Sequence, residues 1–124
     1  MTPFSILLNQ RATEFVGTLE ATSTPIPAGL RFIVEHISGF FGIRTVTIID
    51  AIFAFGSGQE VYLPTHQIVS RELNAGDPFG LIREYQFGSP VRMYINAGDR
   101  ITIRGDSQGA FEIHAAAVGR LVSM

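Results

Sequence analysis

The 124-residue sequence contains no cysteine and no lysine. Without cysteine the chain has no disulfide bond, no thiolate metal ligand and no cysteine nucleophile. Without lysine its sheet edges lack a residue that commonly keeps an edge strand from pairing with another chain. The edges must therefore be protected in another way, and we expect subunit contacts to do it.

Charge is scarce as well. Charged residues make up 16% of the chain, against about 25% in an average domain. The net charge is −2 and no run of basic residues occurs, so the chain lacks the electrostatic footprint with which proteins hold a phosphate backbone. We expect no nucleic-acid partner. A small domain with few charges often hides part of its surface in an oligomer, and we expect a homo-oligomer.

Long apolar runs are also missing. No stretch approaches the roughly 18 apolar residues that span a bilayer, so we expect no membrane insertion. Residues 1–10 have no basic start, and their apolar core covers only residues 5–8. This pattern predicts no signal peptide in the sequence as given. The compartment stays unassigned, and an exported or extracellular protein is compatible with the sequence.

Glycine and proline, in contrast, are frequent, with 13 and 6 residues, and apolar residues reach 46%. Short alternating or β-branched segments lie between these turn residues, which is typical of a sandwich or barrel. We predict one all-β domain over residues 1–124, an antiparallel, jelly-roll-like β-sandwich of about eight strands. The expected strands cover residues 14–21, 30–38, 45–55, 60–63 (resuming at 67–73), 82–87, 91–95, 100–104 and 110–122.

Local patterns also predict strand faces, breaks and turns. His36 is expected on the same strand face as Phe32 and Val34, residues 39–42 are expected to break that strand, and residues 88–90 are expected to form a turn. Residues 56–59 predict a hairpin, residues 74–78 a loop and residues 96–99 a tight turn. Pro64 predicts an edge strand.

Residues 26–38 read IPAGLRFIVEHIS. This segment resembles the PAG-x-R…E-x-x-S strand of a group of small uncharacterised bacterial β-sandwich proteins. Residues 94–98 and 119–122 match the turn and the closing strand of the same group. The resemblance covers roughly residues 25–122. It implies a β-sandwich fold and no catalytic signature.

Residues 98–103, followed by a last apolar strand, are similar to the end of trimeric jelly rolls of the complement C1q and tumour-necrosis-factor type. This second likeness implies a trimer as one form of the homo-oligomer.

Chemistry-bearing residues show no clear grouping. Glu112 and His114 share a strand face and can meet His36 across strands, but scattered strand histidines with ordinary hydrogen bonds, His66 among them, explain the pattern better. No Gly-x-Ser-x-Gly elbow occurs, Ser57 being a glycine-flanked hairpin serine, and no phosphate-binding glycine motif is present. We predict no catalytic, cofactor-binding or metal-binding residue, no cofactor and no enzymatic activity.

The tripeptide Arg104-Gly105-Asp106 resembles integrin-binding loops and is expected on an exposed hairpin before residues 107–109. Such a short string is common by chance, and Gly-Asp is ordinary turn chemistry.

Two functions remain. The first is a non-enzymatic structural or assembly protein that forms a homo-oligomer through apolar surfaces, contributed in part by Phe40, Phe41, Ile52 and Phe53. The alternative is a lectin-like carbohydrate-binding module with sites on loops 74–79 and 96–100. Tyrosine suits sugar stacking because it adds a polar group to a flat ring, and the candidates are Tyr62, Tyr85 and Tyr94. The absence of tryptophan weakens this alternative.

Overall fold

The computed structural model describes residues 2–44, 51–72 and 81–124. These residues form seven strands and no helix, and every strand pairing is antiparallel. The strands are β1 (Thr2–Thr22), β2 (Leu30–Arg44), β3 (Ala51–Gly56), β4 (Gln59–Tyr62), β5 (Thr65–Glu72), β6 (Leu81–Ile95) and β7 (Thr102–Ser123).

Strand β7 passes through both layers of a β-sandwich. Its residues 102–106 pair with β3, and its residues 110–123 pair with β2. β1 accompanies β7 on its other side, with register shifts between Arg11 and Thr18. The smaller layer contains β4, β3, the first part of β7 and the second part of β1, and the larger layer contains the first part of β1, the second part of β7, β2, β6 and β5. The predicted antiparallel sandwich of about eight strands is thereby confirmed, while the jelly-roll connectivity stays a prediction.

The core lies between the two layers. Phe41 of the larger layer covers Gly105 of the smaller layer so closely that an added Cβ would lie 2.6 Å from the ring. Phe41 and Ile52 are both fully buried, so the expectation that they form an association surface is wrong. The largest fully buried side chains are Phe32, Phe41, Phe87, Leu8, Ile26, Ile37, Ile52, Leu63, Met93 and Ile95.

Strand β1 begins at Thr2, well before the expected start at residue 14. Ile6 and Leu8 are buried and Phe4 packs against the core, whereas Leu7 between them is 70% exposed. This period of two is the pattern of a half-buried strand. The expected start at residue 14 is therefore wrong, because the alternation of Phe4, Ile6 and Leu8 already marks a strand.

A bulge at Glu35 changes which residues of β2 face the core: even-numbered residues do so before the bulge and odd-numbered residues after it. Val34 lies opposite Gly119 and His36 opposite Val118, so Glu35 is the extra residue. Val34 and Ile37 are buried, and His36 is half-buried. The expectation that His36 shares the face of Val34 is therefore wrong, because a bulge inserts one residue into the alternation.

Two segments expected to interrupt strands lie inside them. β2 continues through residues 39–42, and β6 continues through residues 88–90. Gly39 lies opposite Ala115, where a Cβ would collide with the carbonyl oxygen of His114. Glycine is present there because two strands approach closely. It does not end the strand.

The predicted turns at residues 56–59 and 96–99 are confirmed. Ser57 and Gly58 have φ angles of 48° and 76°, as a two-residue type I′ hairpin turn requires. At the second turn the N–H of Asp99 donates to the carbonyl of Asn96 at 3.0 Å. Pro64 follows β4, which lies at the end of the strand order, as expected for a proline at an edge.

Other expectations are tested only in part. Residues 51–55 of the predicted strand 45–55 lie in β3, and the rest of that strand and the predicted loop 74–78 lie outside the described residues. In the described ranges no helix has the length and apolarity needed to cross a membrane.

Candidate functional site

Three side chains from adjacent strands form a row on the outer face of the larger layer. Asn9 of β1 lies opposite His114 of β7, which lies opposite Phe40 of β2. His114 Nδ1 is 3.0 Å from Asn9 Oδ1, and the rings of His114 and Phe40 are 4.8 Å apart at 31°. The row therefore joins an aromatic ring to a hydrogen-bonded polar pair.

Glu112 completes this row from the same face of β7, as the sequence predicted. Its Oε2 lies 3.4 Å from His114 Nε2, and its side chain is 7% exposed, against 38% for His114. Both ring nitrogens of His114 are thus directed at oxygen atoms. The oxygen atoms belong to an amide and a carboxylate, and neither is a hydroxyl or thiol nucleophile that His114 could deprotonate.

His36 does not join this group, because it lies opposite Val118, four residues along β7 from His114. Within the part of the chain that the structure describes, no three histidine, aspartate or glutamate side chains lie close enough to hold a metal ion. The side chain of His66 lies outside that part.

A shallow groove of about 230 Å³ runs beside the row, and we call it the outer groove. Its floor is low because the small residues Ala116 and Ser38 face each other between larger neighbours. Polar groups stand mainly on the side of Asn9 and His114. The lining residues are Leu7, Asn9, Ser38, Gly39, Phe40, His114, Ala115 and Ala116.

The outer groove ends at an open sheet edge formed by residues 2–11, which we call the β1 edge. This segment pairs with β7, and no second strand of the described ranges pairs with it. Residues 2–10 carry no charged side chain, and Arg11 is the first. At 70%, Leu7 has the largest exposed fraction among the described large hydrophobic residues. The alternation of Phe4, Ile6 and Leu8 was the sequence signal that could have revealed this edge.

A second apolar region lies on the outer face of the smaller layer. The ring of Phe53 is 5.7 Å from that of Tyr62 and 6.1 Å from that of Phe55, and Tyr62 is 56% exposed. Phe53 therefore lies on a different layer from Phe40. Together with the burial of Phe41 and Ile52, this means that the four residues expected to form one association surface do not do so.

Residues 104–106 lie inside β7, so the expected exposed hairpin is wrong. Gly105 is buried, Arg104 Nε lies 3.1 Å from Asp106 Oδ1, and Thr18 donates a hydrogen bond to the same oxygen. The hydrogen bond to Asp106 raises the pKa of the Arg104 guanidinium above its ordinary value. Both charged side chains of the tripeptide are thus held by neighbours in the sheet.

The tyrosines considered for sugar stacking do not converge. Tyr62 lies on the smaller layer, Tyr94 is 38% exposed on the larger layer, and Tyr85 packs against the core. Loop 74–79 lies outside the described residues.

The polar groups of the turn at residues 96–99 are used within the fold. Ser57 Oγ donates to Asp99 at 2.6 Å and accepts from the N–H of Asn96 at 2.9 Å. Arg100 donates to the carbonyl of Ser23 at 3.1 Å. The turn therefore joins the two layers and offers few free groups to a ligand.

Comparison with known proteins adds no relative. No protein-family model, curated protein or solved structure matches this chain. The resemblance to small bacterial β-sandwich proteins stays a prediction.

Proposed function

We propose that the protein is a non-enzymatic assembly protein whose subunits associate through the β1 edge. The observation that carries this proposal is the edge itself: residues 2–10 are uncharged, a second pairing strand is absent among the described residues, and Leu7 is 70% exposed. An open, uncharged edge strand is a template for pairing with another chain. Pairing would also cover Leu7.

The composition supports the same proposal. The chain has few charges and no lysine, so the common means of protecting an edge is missing. The site chemistry supports a non-enzymatic role, because the atoms that face the two nitrogens of His114 belong to Asn9 and Glu112, and neither is a hydroxyl or thiol nucleophile that the histidine could activate.

The experiment that tests the proposal is light scattering of the purified chain at micromolar concentration. We expect a defined multiple of the 13.5 kDa subunit mass, whether dimer or trimer. Leu7→Lys should return the protein to 13.5 kDa, because it places a charge at the centre of the edge. Val118→Lys is the matched control, since Val118 is 38% exposed on a strand that is paired on both sides. A monomeric wild-type protein would rule out the assembly function.

A second candidate is carbohydrate binding in the outer groove, favoured by the position of the Phe40 ring beside Asn9 and His114. An apolar ring next to a few polar groups is the usual arrangement of a small-ligand site. A glycan array should then give a reproducible set of sugars that Phe40→Ala loses and Tyr62→Ala, on the other layer, retains. A blank array removes this candidate and leaves the assembly proposal unchanged.

A further inference from the structure

The direction of the free hydrogen-bonding groups on the β1 edge can be deduced from Pro3. Pro3 lies opposite Arg120 in a ladder that runs without a register shift from Thr2 to Arg11. Proline has no N–H to donate, so this pair must be of the non-hydrogen-bonded kind. Since the two kinds alternate along an antiparallel ladder, Ser5, Leu7 and Asn9 also direct their N–H and C=O groups away from β7.

The opposite side of the sheet gives the same result independently. Both backbone groups of Tyr94 bond to the side chain of Gln59, at 2.6 and 3.0 Å, so they point away from β2. Its neighbour in β2, Ile33, must therefore direct its own groups towards Arg120 in β7. The backbone N–H and C=O groups of Arg120 therefore point away from Pro3. Two unrelated observations thus assign the same residues to the free edge.

From this geometry we propose that the occupant of the β1 edge is a second copy of the chain, paired antiparallel about a two-fold axis at Leu7. The inference depends on the proposed assembly function and specifies its contact. In this register Leu7 lies opposite Leu7 of the second copy, Ser5 opposite Asn9, and Pro3 opposite Arg11. Each outward N–H of the edge meets an outward carbonyl across the axis.

Three properties of the edge favour this register over others. It uses residues 3–11, which is all of the unshifted segment except Thr2. It covers Leu7, the most exposed of the described large hydrophobic residues, with Leu7 of the second copy, as an isologous contact allows. It also separates the two Arg11 side chains to opposite ends of the paired segment and places Ile6 opposite Leu8 on the inner face.

Disulfide cross-linking tests the register, since the chain has no cysteine of its own. Directly paired residues in a hydrogen-bonded pair lie about 5.5 Å apart between Cα atoms, within the roughly 4.4–6.8 Å range of a disulfide. Leu7→Cys should therefore oxidise to a covalent dimer by itself. Ser5→Cys and Asn9→Cys should each cross-link poorly alone and well when mixed. Val118→Cys is the control, since Val118 is exposed but lies one strand inside the edge, opposite Ser5.

The cross-links and the light-scattering mass together separate the two proposals. A dimeric wild-type protein with the predicted cross-links supports both. A dimer that cross-links at other positions, or a trimer, overturns this register and leaves the assembly function standing. A monomer overturns both.

Proline variants test the direction of the backbone groups directly. Ser5→Pro removes an outward N–H, so we expect an unchanged thermal midpoint for the isolated subunit and about tenfold weaker dimerisation from the loss of two intermolecular hydrogen bonds. Ile6→Pro removes an N–H that bonds to β7 and should destabilise the fold itself. Circular dichroism of dilute samples reports the fold, and light scattering reports the dimer. If Ser5→Pro unfolds the subunit, the assignment of the free edge is wrong.

Discussion

Gly105 is the residue on which the contact between the two layers depends most clearly. An added Cβ would lie 2.6 Å from the Phe41 ring, which is fully buried and has no open side to move into. We expect Gly105→Ala to lower the free energy of unfolding by about 1–3 kcal/mol, the usual cost of overpacking a core. Denaturant unfolding of the variant measures this loss.

Gly17→Ala provides the comparison for that measurement. Gly17 also lies within a long strand, but an added Cβ would meet nothing within 4 Å. The free energy of unfolding of Gly17→Ala should stay within about 0.5 kcal/mol of the wild-type value or rise slightly. Equal losses of unfolding free energy in the two variants would mean that the contact with Phe41 does not determine the cost of a side chain at residue 105.

The adjacent residues Phe40 and Phe41 show what sequence could predict about single positions. Their identical chemistry led us to expect one shared surface, yet consecutive strand residues point to opposite faces. Phe41 is fully buried, while Phe40 lines the outer groove. Which of the two faces the core depends on the register with Ile113 and His114, which lie far away in sequence.

The β3–β4 hairpin protects part of the second edge of the larger layer. β5 covers β6 only over residues 81–87, and further along Gln59 bonds to both backbone groups of Tyr94. Gln59→Ala should lower the free energy of unfolding by about 1 kcal/mol, because the pair is exposed and water partly replaces it. Gln86→Ala, an exposed glutamine on the same strand as Tyr94, should have no measurable effect. Similar losses of unfolding free energy in the two variants would argue against the protection of this edge by Gln59.

At the level of strands, local sequence patterns predicted that strands and turns exist better than they predicted where each strand begins, ends or bulges. The all-β class and the turns at residues 56–59 and 96–99 follow from residues adjacent in sequence. The bulge at Glu35 and the close approach at Gly39 depend on distant strands, so neither had a local signal. The candidate site was predicted only in part for the same reason: Glu112 and His114 share a face by period two, but Asn9 joins them through the pairing of β1 with β7.

At the level of the whole molecule, the two layers are not independent. β1 and β7 each pass through both layers, and β1 forms one flank of the sandwich. A second copy paired to residues 3–11 would therefore restrain a strand whose other half, residues 18–22, belongs to the smaller layer. Association and folding should be coupled through this shared strand.

This coupling predicts that thermal stability depends on protein concentration. A folded dimer that unfolds to two chains gains stability by mass action as concentration rises. For a chain of this length the thermal midpoint should increase by about 2–3 °C for each tenfold rise in concentration. Differential scanning calorimetry over two decades of concentration measures the slope. Leu7→Lys should abolish the slope and Val118→Lys should preserve it, whereas a flat wild-type profile would place the association outside the folding equilibrium and contradict the coupling.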